Sequence, residues 1–280
     1  MNNTPVRPEE LITERRSPRR RNLGSALSSP ALISVTAVAI AALLWQISTA
    51  WQWVNPLFIP APAKVWAAFA DIWQNGYHDR PLWVHILASF RRLGIAFVMT
   101  VVTAIPLGLL SGCSRQFQAA LEPFVEFYRP LPPLAYYTLL VIWLGIDDPS
   151  KIALLYLAGF APLYIAAVSG VKRIPRDRLN AARSLGASPW QVFRYVIFPS
   201  TLPDLFTGLR TATGFMYTTL VAAEIVAAVS GLGWMVLDAS KFLRSDVVFV
   251  GILIMGVLAI ALDLVIRGLQ YYQVPWSGKE

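Results

Sequence analysis

Three windows without a charged side chain, residues 22–63, 93–114 and 152–171, constrain this chain more than anything else in it. Each holds the roughly 20 apolar residues that a 30 Å hydrocarbon core demands. Within lipid a segment must satisfy its own N–H and C=O groups, so these windows cross as α-helices. The chain of 280 residues is 56% hydrophobic and 14% charged, against roughly a quarter charged in a soluble domain. The expected fold class is all-α, in a polytopic membrane protein.

The net charge of +8 would suit nucleic acid if it were spread over a surface. Its basic residues gather instead at the edges of the apolar windows, where they set orientation. One cysteine, Cys113, excludes an internal disulfide. His78 and His85 lie near an expected loop, and no metal site is read from them.

Residues 1–29 are polar and carry Arg15, Arg16, Arg19, Arg20 and Arg21; they are expected to form a disordered basic cytoplasmic tail. A cleavable signal would end soon after a short apolar run. Here the run is long, and Trp45, Trp51 and Trp53 gather at its far end as an interfacial belt does. A membrane domain over 30–273 is therefore expected to begin with a retained span at about 31–52. Further spans are expected at about 91–112, 130–146, 152–171, 202–228 and 247–267, followed by a short cytoplasmic tail at 274–280. Six Lys/Arg precede the first span and six lie between Lys172 and Arg194, whereas residues 53–89 hold two and the turn 147–151 holds one. Six spans with both termini and the 172–199 loop in the cytoplasm satisfy that asymmetry. Between spans one and two, Pro56, Pro60 and Pro62 mark an extended entry, and Val65–Trp73 reads as an amphipathic helix on the outer surface.

The loop between spans four and five is unusually ordered for a linker. Pro175 bars a continuous helix, Asp177 is placed to cap a new one through Leu185, and Gly186 suits the left-handed position that ends it. Ser188, Pro189 and Gln191 then form a capping box with proline at the first helical position, and Pro199 is expected to kink the entry to span five. Ala181, Ala182 and Leu185 leave one side of the first helix small and apolar, flanked by Arg178 and Arg183. A solvated loop is the bland reading; a docking surface for another protein is the alternative.

That stretch resembles the cytoplasmic coupling motif of ABC importer permeases: Asn180-Ala181-Ala182, then Gly186, then Val196-Ile197-Phe198-Pro199. Asn180 stands where the motif usually has Glu, and Phe198 where it has Leu. Further likeness runs over about residues 31–276. Tyr128 to Ala135, Ile142 to Ile146, Val221 to Glu224 and Ser230 to Gly233 resemble the nitrate/sulfonate/taurine branch, and Val274 to Gly278 is most similar to its taurine-importing members. The resemblance implies a type I importer permease fold in a bacterial inner membrane, with a coupling helix that seats in an ATP-hydrolysing subunit. Asp177, Arg178, Asn180, Ala181, Ala182, Arg183, Ser184, Leu185, Gly186, Ala187 and Pro199 are the coupling residues it implies. It further implies a second copy of the chain, an ATPase pair holding ATP and Mg, and a periplasmic binding protein. No cofactor is expected on this chain.

Glu224 stands alone in an apolar span, a position that costs a few kcal/mol unless the group is paired or functional. Arg210 lies about 21 Å away along the same helix, too far to pair, and is expected to snorkel to the membrane edge. Two readings of Glu224 remain: it lines the route and passes the ammonium of a zwitterion such as taurine, or it makes a structural bond that holds span five. Pro130, Pro132 and Pro133 interrupt span three, and irregular backbone at depth belongs beside protein or a wet cavity. Tyr128, Arg129 and Glu126 are pathway candidates for that reason, although Glu126 and Arg129 also suit an i,i+3 pair. Tyr136, Tyr137 and Tyr217 suit a pore lining or interhelical packing equally. Asp263 and Arg267 read as a helix-end pair, Gly231 and Gly233 shape the turn after span five, and Lys241 and Arg244 stand where a docked binding protein would touch.

No Gly-Lys-Ser/Thr phosphate loop is present, so the chain is read as a non-catalytic permease whose ATP is hydrolysed by another subunit. Taurine or a related alkanesulfonate is the expected cargo; other sulfonates, nitrate, bicarbonate or a pyrimidine precursor are the alternatives. An ion-driven secondary transporter would show internal repeats with matched broken helices. An intramembrane enzyme would show a Ser/His, paired-Asp or His/Glu constellation within its spans. Neither pattern is found.

Overall fold

The computed structural model describes residues 30–276, in two compact units that divide at Val54. The expected tail at 1–29 and the residues after Trp276 lie outside the described residues. In the first unit, α1 (Pro30–Ala50) is apolar and long enough to span, and Val35, Val38 and Leu44 on it are exposed, as lipid-facing side chains are.

The second unit begins with α2 (Pro62–Asn75), whose first position is proline, the residue that loses nothing there because the N–H would be unpaired anyway. Val65, Ala68 and Ile72 are its buried stripe and it packs on α11 (Ser245–Gln273), while Trp66 and Trp73 stay exposed. Then come α3 (Leu82–Cys113), α4 (Arg115–Tyr128), α5 (Pro133–Leu144) and α6 (Asp148–Lys172). After α7 (Arg176–Ser184), α8 (Pro189–Val192) runs through a π-turn at Phe193–Ile197 into α9 (Phe198–Ala227). α10 (Leu232–Lys241) follows at 47° to that long helix. Among the described residues all regular structure is helical, apart from one isolated bridge, Tyr77–Arg80.

α6 is the axis, packed along both α3 and α9. Glycines allow the approach: a Cβ on Gly108 of α3 would lie 2.8 Å from the Tyr164 carbonyl, and one on Gly208 of α9 would strike Ala166. Small residues are what membrane helices use to pack when lipid offers no hydrophobic drive. The core has two layers. One joins Leu93 and Ala96 of α3, Tyr137 and Leu140 of α5, Leu154 and Leu155 of α6, and Met216 and Leu220 of α9. The other joins Ala104 of α3, Val125 of α4, Leu163 and Tyr164 of α6, and Ala212 of α9.

Those layers correct the expected third span at 130–146. α5 has 12 residues and is about 18 Å long at 1.5 Å per residue, too short to cross. α4 belongs to one layer and α5 to the other, so the two helices run the thickness of the bundle in series, broken at residues 129–132. The prolines at 130, 132 and 133 interrupt the middle of that path rather than its start. Two other expectations move outward. α3 begins nine residues before the expected 91, at Leu82 directly after Pro81, and so carries Arg91, Arg92 and His85 inside the helix. The helix of span five begins at Pro189 instead of 202; its widened turn lies where Pro199 has no N–H to give the Tyr195 carbonyl.

Candidate functional site

Three polar features interrupt this apolar bundle. One lies at the end of the bundle where α3 and α6 begin. Glu224, 1% exposed near the end of α9, is surrounded there. Its Oε1 accepts hydrogen bonds from Arg92 Nη1 at 2.8 Å and Ser89 Oγ at 2.7 Å, and its Oε2 accepts one from the Gly233 N–H at 2.9 Å. Arg92, 4% exposed, also donates through Nε to Asp148 Oδ1 at 2.7 Å and through Nη1 to the Ser230 carbonyl at 2.9 Å. Arg91 pairs with the other oxygen of Asp148. Four charged side chains and three dipoles thus join the starts of α3 and α6 to the end of α9.

The Ser230-Gly231-Leu232-Gly233 turn is the cradle of that cluster. Gly231 has φ +127°, and a Cβ there would fall on the Glu224 carboxylate; a Cβ on Gly233 would lie 2.8 Å from the Val221 carbonyl. Its three successive N–H groups donate to His85 Nδ1 (3.4 Å), Ser89 Oγ (3.0 Å) and Glu224 Oε2. His85 Nε2 lies 3.4 Å from the Tyr77 carbonyl, which fits the tautomer protonated there, and its ring stacks on Trp234. His85 is fully buried in the first turn of α3, not in a loop. Beyond it, Tyr77 Oη donates to Asp238 Oδ2 at 2.9 Å, and His78 Nε2 lies 2.7 Å from the same oxygen. Burial first, then the bond to Asp238, pushes the Tyr77 hydroxyl well above the usual tyrosine range.

Glu224 therefore finds the partner on another helix that its solitude demanded, and lines none of the described cavities. Arg92 was not legible as that partner, because a span placed at 91–112 leaves it at the membrane edge. Pro81 was the available signal, since a helix started there carries Arg92 three turns inward. Arg210 does not snorkel alone: its Nε donates to Asp263 Oδ1 at 2.8 Å, and Asp263 also holds Arg267 at 2.6 Å. The helix-end pair is a three-member bridge between α9 and α11.

The second feature is a cleft of about 430 Å³ bounded by the α4–α5 break, the second half of α6 and the first half of α9. Tyr128, Arg129 and Tyr136 line it, and Asp204, Thr207 and Thr211 face it from α9. Of the other expected pathway residues, Tyr137 is buried in the α5–α6 core, and Tyr217 donates to the Met255 carbonyl at 2.8 Å, tying α9 to α11. Glu126 and Arg129 form no ion pair with each other; both open onto a smaller hollow beside Lys172. Asp204 and Arg173, which sequence reasoning passed over, form an ion pair of 2.6 Å at the end of the cleft.

The third feature is α7 and the turn after it. No residue of α7 is buried. The helix starts at Arg176 behind Pro175, so Asp177 lies inside the first turn and makes no side-chain cap, a correction to its expected role. Its charge still favours the N-terminal dipole. The C-terminus closes as a Schellman motif: the Gly186 N–H reaches the Arg183 carbonyl at 2.9 Å and the Ala187 N–H reaches the Ala182 carbonyl at 3.2 Å, with Gly186 at φ +80°. The capping box is complete: Ser188 Oγ accepts from Gln191 N–H at 3.3 Å and Gln191 Oε1 from Ser188 N–H at 2.7 Å. Asn180, Ala181, Arg183 and Ser184 are exposed, Ala182 and Ala187 half-buried, and Leu185 is 89% exposed. Arg178 donates to Ser200 Oγ at 3.3 Å, one residue beyond Pro199. A rigid helix held out from the bundle with an apolar tip has the form of a plug for a groove on another protein.

Comparison with known proteins bears on the chain as a whole. The family described as "binding-protein-dependent transport system inner membrane component" matches residues 104–278. The chain is 42% identical to the taurine transport system permease protein TauC of Escherichia coli K12 over 96% of this chain and 98% of that protein. It is 32% identical to the nitrate import permease protein NrtB of a Synechocystis strain, over 93% and 96% of the two chains. It is 33% identical to a protein described as an aliphatic sulfonates transport permease, SsuC of Escherichia coli K12, over 89% and 92%. Among solved structures, inward-facing MetNI methionine ABC transporter shares the fold, with TM-score 0.53, 18% identity, and coverage of 67% of this chain and 96% of that one.

Proposed function

The chain belongs to the family of binding-protein-dependent transport system inner membrane components, and from that premise we propose how its three features divide the work of import. It is the permease subunit of an ABC importer. α7 is its coupling helix and faces the cytoplasm, with Asn180, Ala181, Ala182, Arg183 and Leu185 against a groove of the ATPase subunit. The observation that carries this is the exposed α7, closed by a Schellman turn and followed directly by the capping box that starts α8, standing between two spans with no buried residue of its own. The Schellman turn and capping box make it stiff, so a push from the ATPase reaches α9 through Pro189 and the π-turn instead of being absorbed in a loop. Asn180 supplies a neutral amide to that contact where the family motif has a carboxylate.

Two copies of the chain enclose the route, an ATPase pair binds and hydrolyses ATP with Mg, and a periplasmic binding protein delivers cargo near Lys241 and Arg244. Both termini and α7 lie in the cytoplasm, which the basic residues at 172–194 favour, and the α4–α5 pair makes the sixth crossing. The cargo is taurine or a related alkanesulfonate, as the names of TauC and SsuC suggest. NrtB supports a second reading, a small inorganic oxyanion.

Reconstitution of the chain with its ATPase and binding protein tests the assignment. Taurine uptake into proteoliposomes should require ATP and both companions. Uptake at an undiminished rate without the ATPase overturns it. R183C in a C113S background should react with a thiol reagent only from the cytoplasmic side; labelling from outside overturns the orientation.

A further inference from the structure

The cleft between the α4–α5 break and α9 has two walls of opposite chemistry. At the break stands Arg129, exposed and with no ion pair or side-chain hydrogen bond among the described residues. Beside it the Tyr128 hydroxyl is buried with no hydrogen-bond partner among the described residues. The guanidinium only donates, and the phenol has a proton to donate. On the facing wall Asp204, Thr207 and Thr211 recur at the spacing that shares one helix face. The Thr207 hydroxyl donates to the Pro203 carbonyl and the Thr211 hydroxyl to the Thr207 carbonyl, each at 3.0 Å. With their protons so committed, the two hydroxyls offer the cleft only lone pairs. Asp204 gives one oxygen to Arg173, a largely exposed guanidinium, and its other oxygen has no hydrogen bond among the described residues.

A donor wall with a spare guanidinium and an acceptor wall with a carboxylate complement a molecule charged oppositely at its ends. We propose that the cleft is a transit site for a zwitterionic aminosulfonate, Arg129 taking the sulfonate and Asp204, with Thr207 and Thr211, taking the ammonium. The inference rests on the reading of the chain as a sulfonate importer and locates where in the permease the two ends are sensed. The guanidinium fork matches the oxygen triangle of a sulfonate. Arg173 is the ammonium's competitor for Asp204, and because that pair is water-exposed it yields readily. A cargo without the amine uses the Arg129 end alone, leaving the Arg173–Asp204 pair closed. The site is weak by design, since a route must release what it holds.

The test measures binding of taurine and of ethanesulfonate, its amine-free analogue, by titration to the purified complex of this chain and its ATPase without the binding protein. R129Q should weaken both ligands about tenfold, the loss of one charge-assisted hydrogen-bond pair. D204N should weaken taurine about tenfold and leave ethanesulfonate within about twofold. R173Q discriminates a binding role from a structural one: it removes the competitor, so taurine should bind more tightly, whereas a residue needed only to hold Asp204 in place would make R173Q mimic D204N. The site is overturned if D204N weakens both ligands alike, if R129Q changes neither, or if the unaltered complex shows no saturable binding. Uptake by the same complex with its binding protein separates the two levels. Normal ATP-driven taurine uptake with an unresponsive variant panel removes only the transit site, while absent taurine uptake removes the cargo reading.

Discussion

The two ends of this bundle treat charge in opposite ways. Where α3 and α6 begin, Arg92 and Glu224 are closed in among serine hydroxyls and glycine N–H groups, with Asp148 at the edge, and both oxygens of Glu224 are bonded. Where α6 ends and α9 begins, Arg129 has no ion pair among the described residues, Arg173 and Asp204 meet in the open, and α7 buries nothing. A saturated buried cluster can hold helices in register, but it has no valence left for a ligand. An unsaturated one contributes little to stability and is free to meet cargo or a partner. Position in a membrane does not by itself make an ionisable residue functional; its remaining hydrogen-bonding capacity decides.

The sharpest way to break that contrast is R92M. Methionine fills the volume but leaves Glu224 as an uncompensated buried charge and Asp148 with Arg91 alone, and breaking a buried pair from one side costs about 3–5 kcal/mol. Thermal unfolding in detergent should show a large fall in midpoint and poor recovery of the protein. R92M/E224M should recover part of the loss, because the pair is then removed from both sides. Equal stability of R92M and the unaltered protein would refute the clamp. G231A should resemble R92M, since its Cβ occupies the place of the Glu224 carboxylate.

The other end should respond in function and not in stability. L185D places a carboxylate at the 89% exposed tip of α7, where surface changes stay within about 0.5 kcal/mol of neutral. ATP hydrolysis stimulated by loaded binding protein should nonetheless drop more than tenfold, about 1.4 kcal/mol or more of lost coupling. A fall in unfolding midpoint with coupling intact would reverse the assignment. G186A tests the stiffness of the same element: a left-handed φ of +80° costs an L-residue about 1–2 kcal/mol, borne by the Schellman turn, and coupling should weaken less than in L185D.

The α7 end was legible in the sequence because its signals are local. Gly186, Ser188, Pro189 and Gln191 each act within four residues, and all four are used as expected. Asp177 failed as a cap because Pro175 already takes the N-cap position two residues earlier. The Arg92 end was legible only in half. Glu224 in an apolar run announces a partner, yet Arg92 lies 132 residues away and looked like a membrane-edge charge. The broken third span was hidden for a related reason: α4 is amphipathic, with Arg115, Glu122 and Glu126 on it, so composition alone read it as a loop and gave the crossing to the apolar α5.

The smallest expected effect lies at Tyr77, on the rim of the saturated cluster, and it carries a pH signature. Its hydroxyl is buried and donates to Asp238, and burial holds its pKa above that of the unfolded chain. An acid whose folded pKa is raised lends stability while it is protonated in both states. That contribution is complete below the unfolded tyrosine value of about 10 and is lost as the pH climbs beyond it toward the folded value. Thermal midpoints of the unaltered protein should therefore fall above about pH 10 more steeply than those of Y77F, which has no proton to lose there. At neutral pH, Y77F should cost about 0.5–1.5 kcal/mol for the missing bond, well short of R92M. Parallel alkaline limbs for the two proteins would mean that this rim is already open to solvent and that the closed cluster ends at His85.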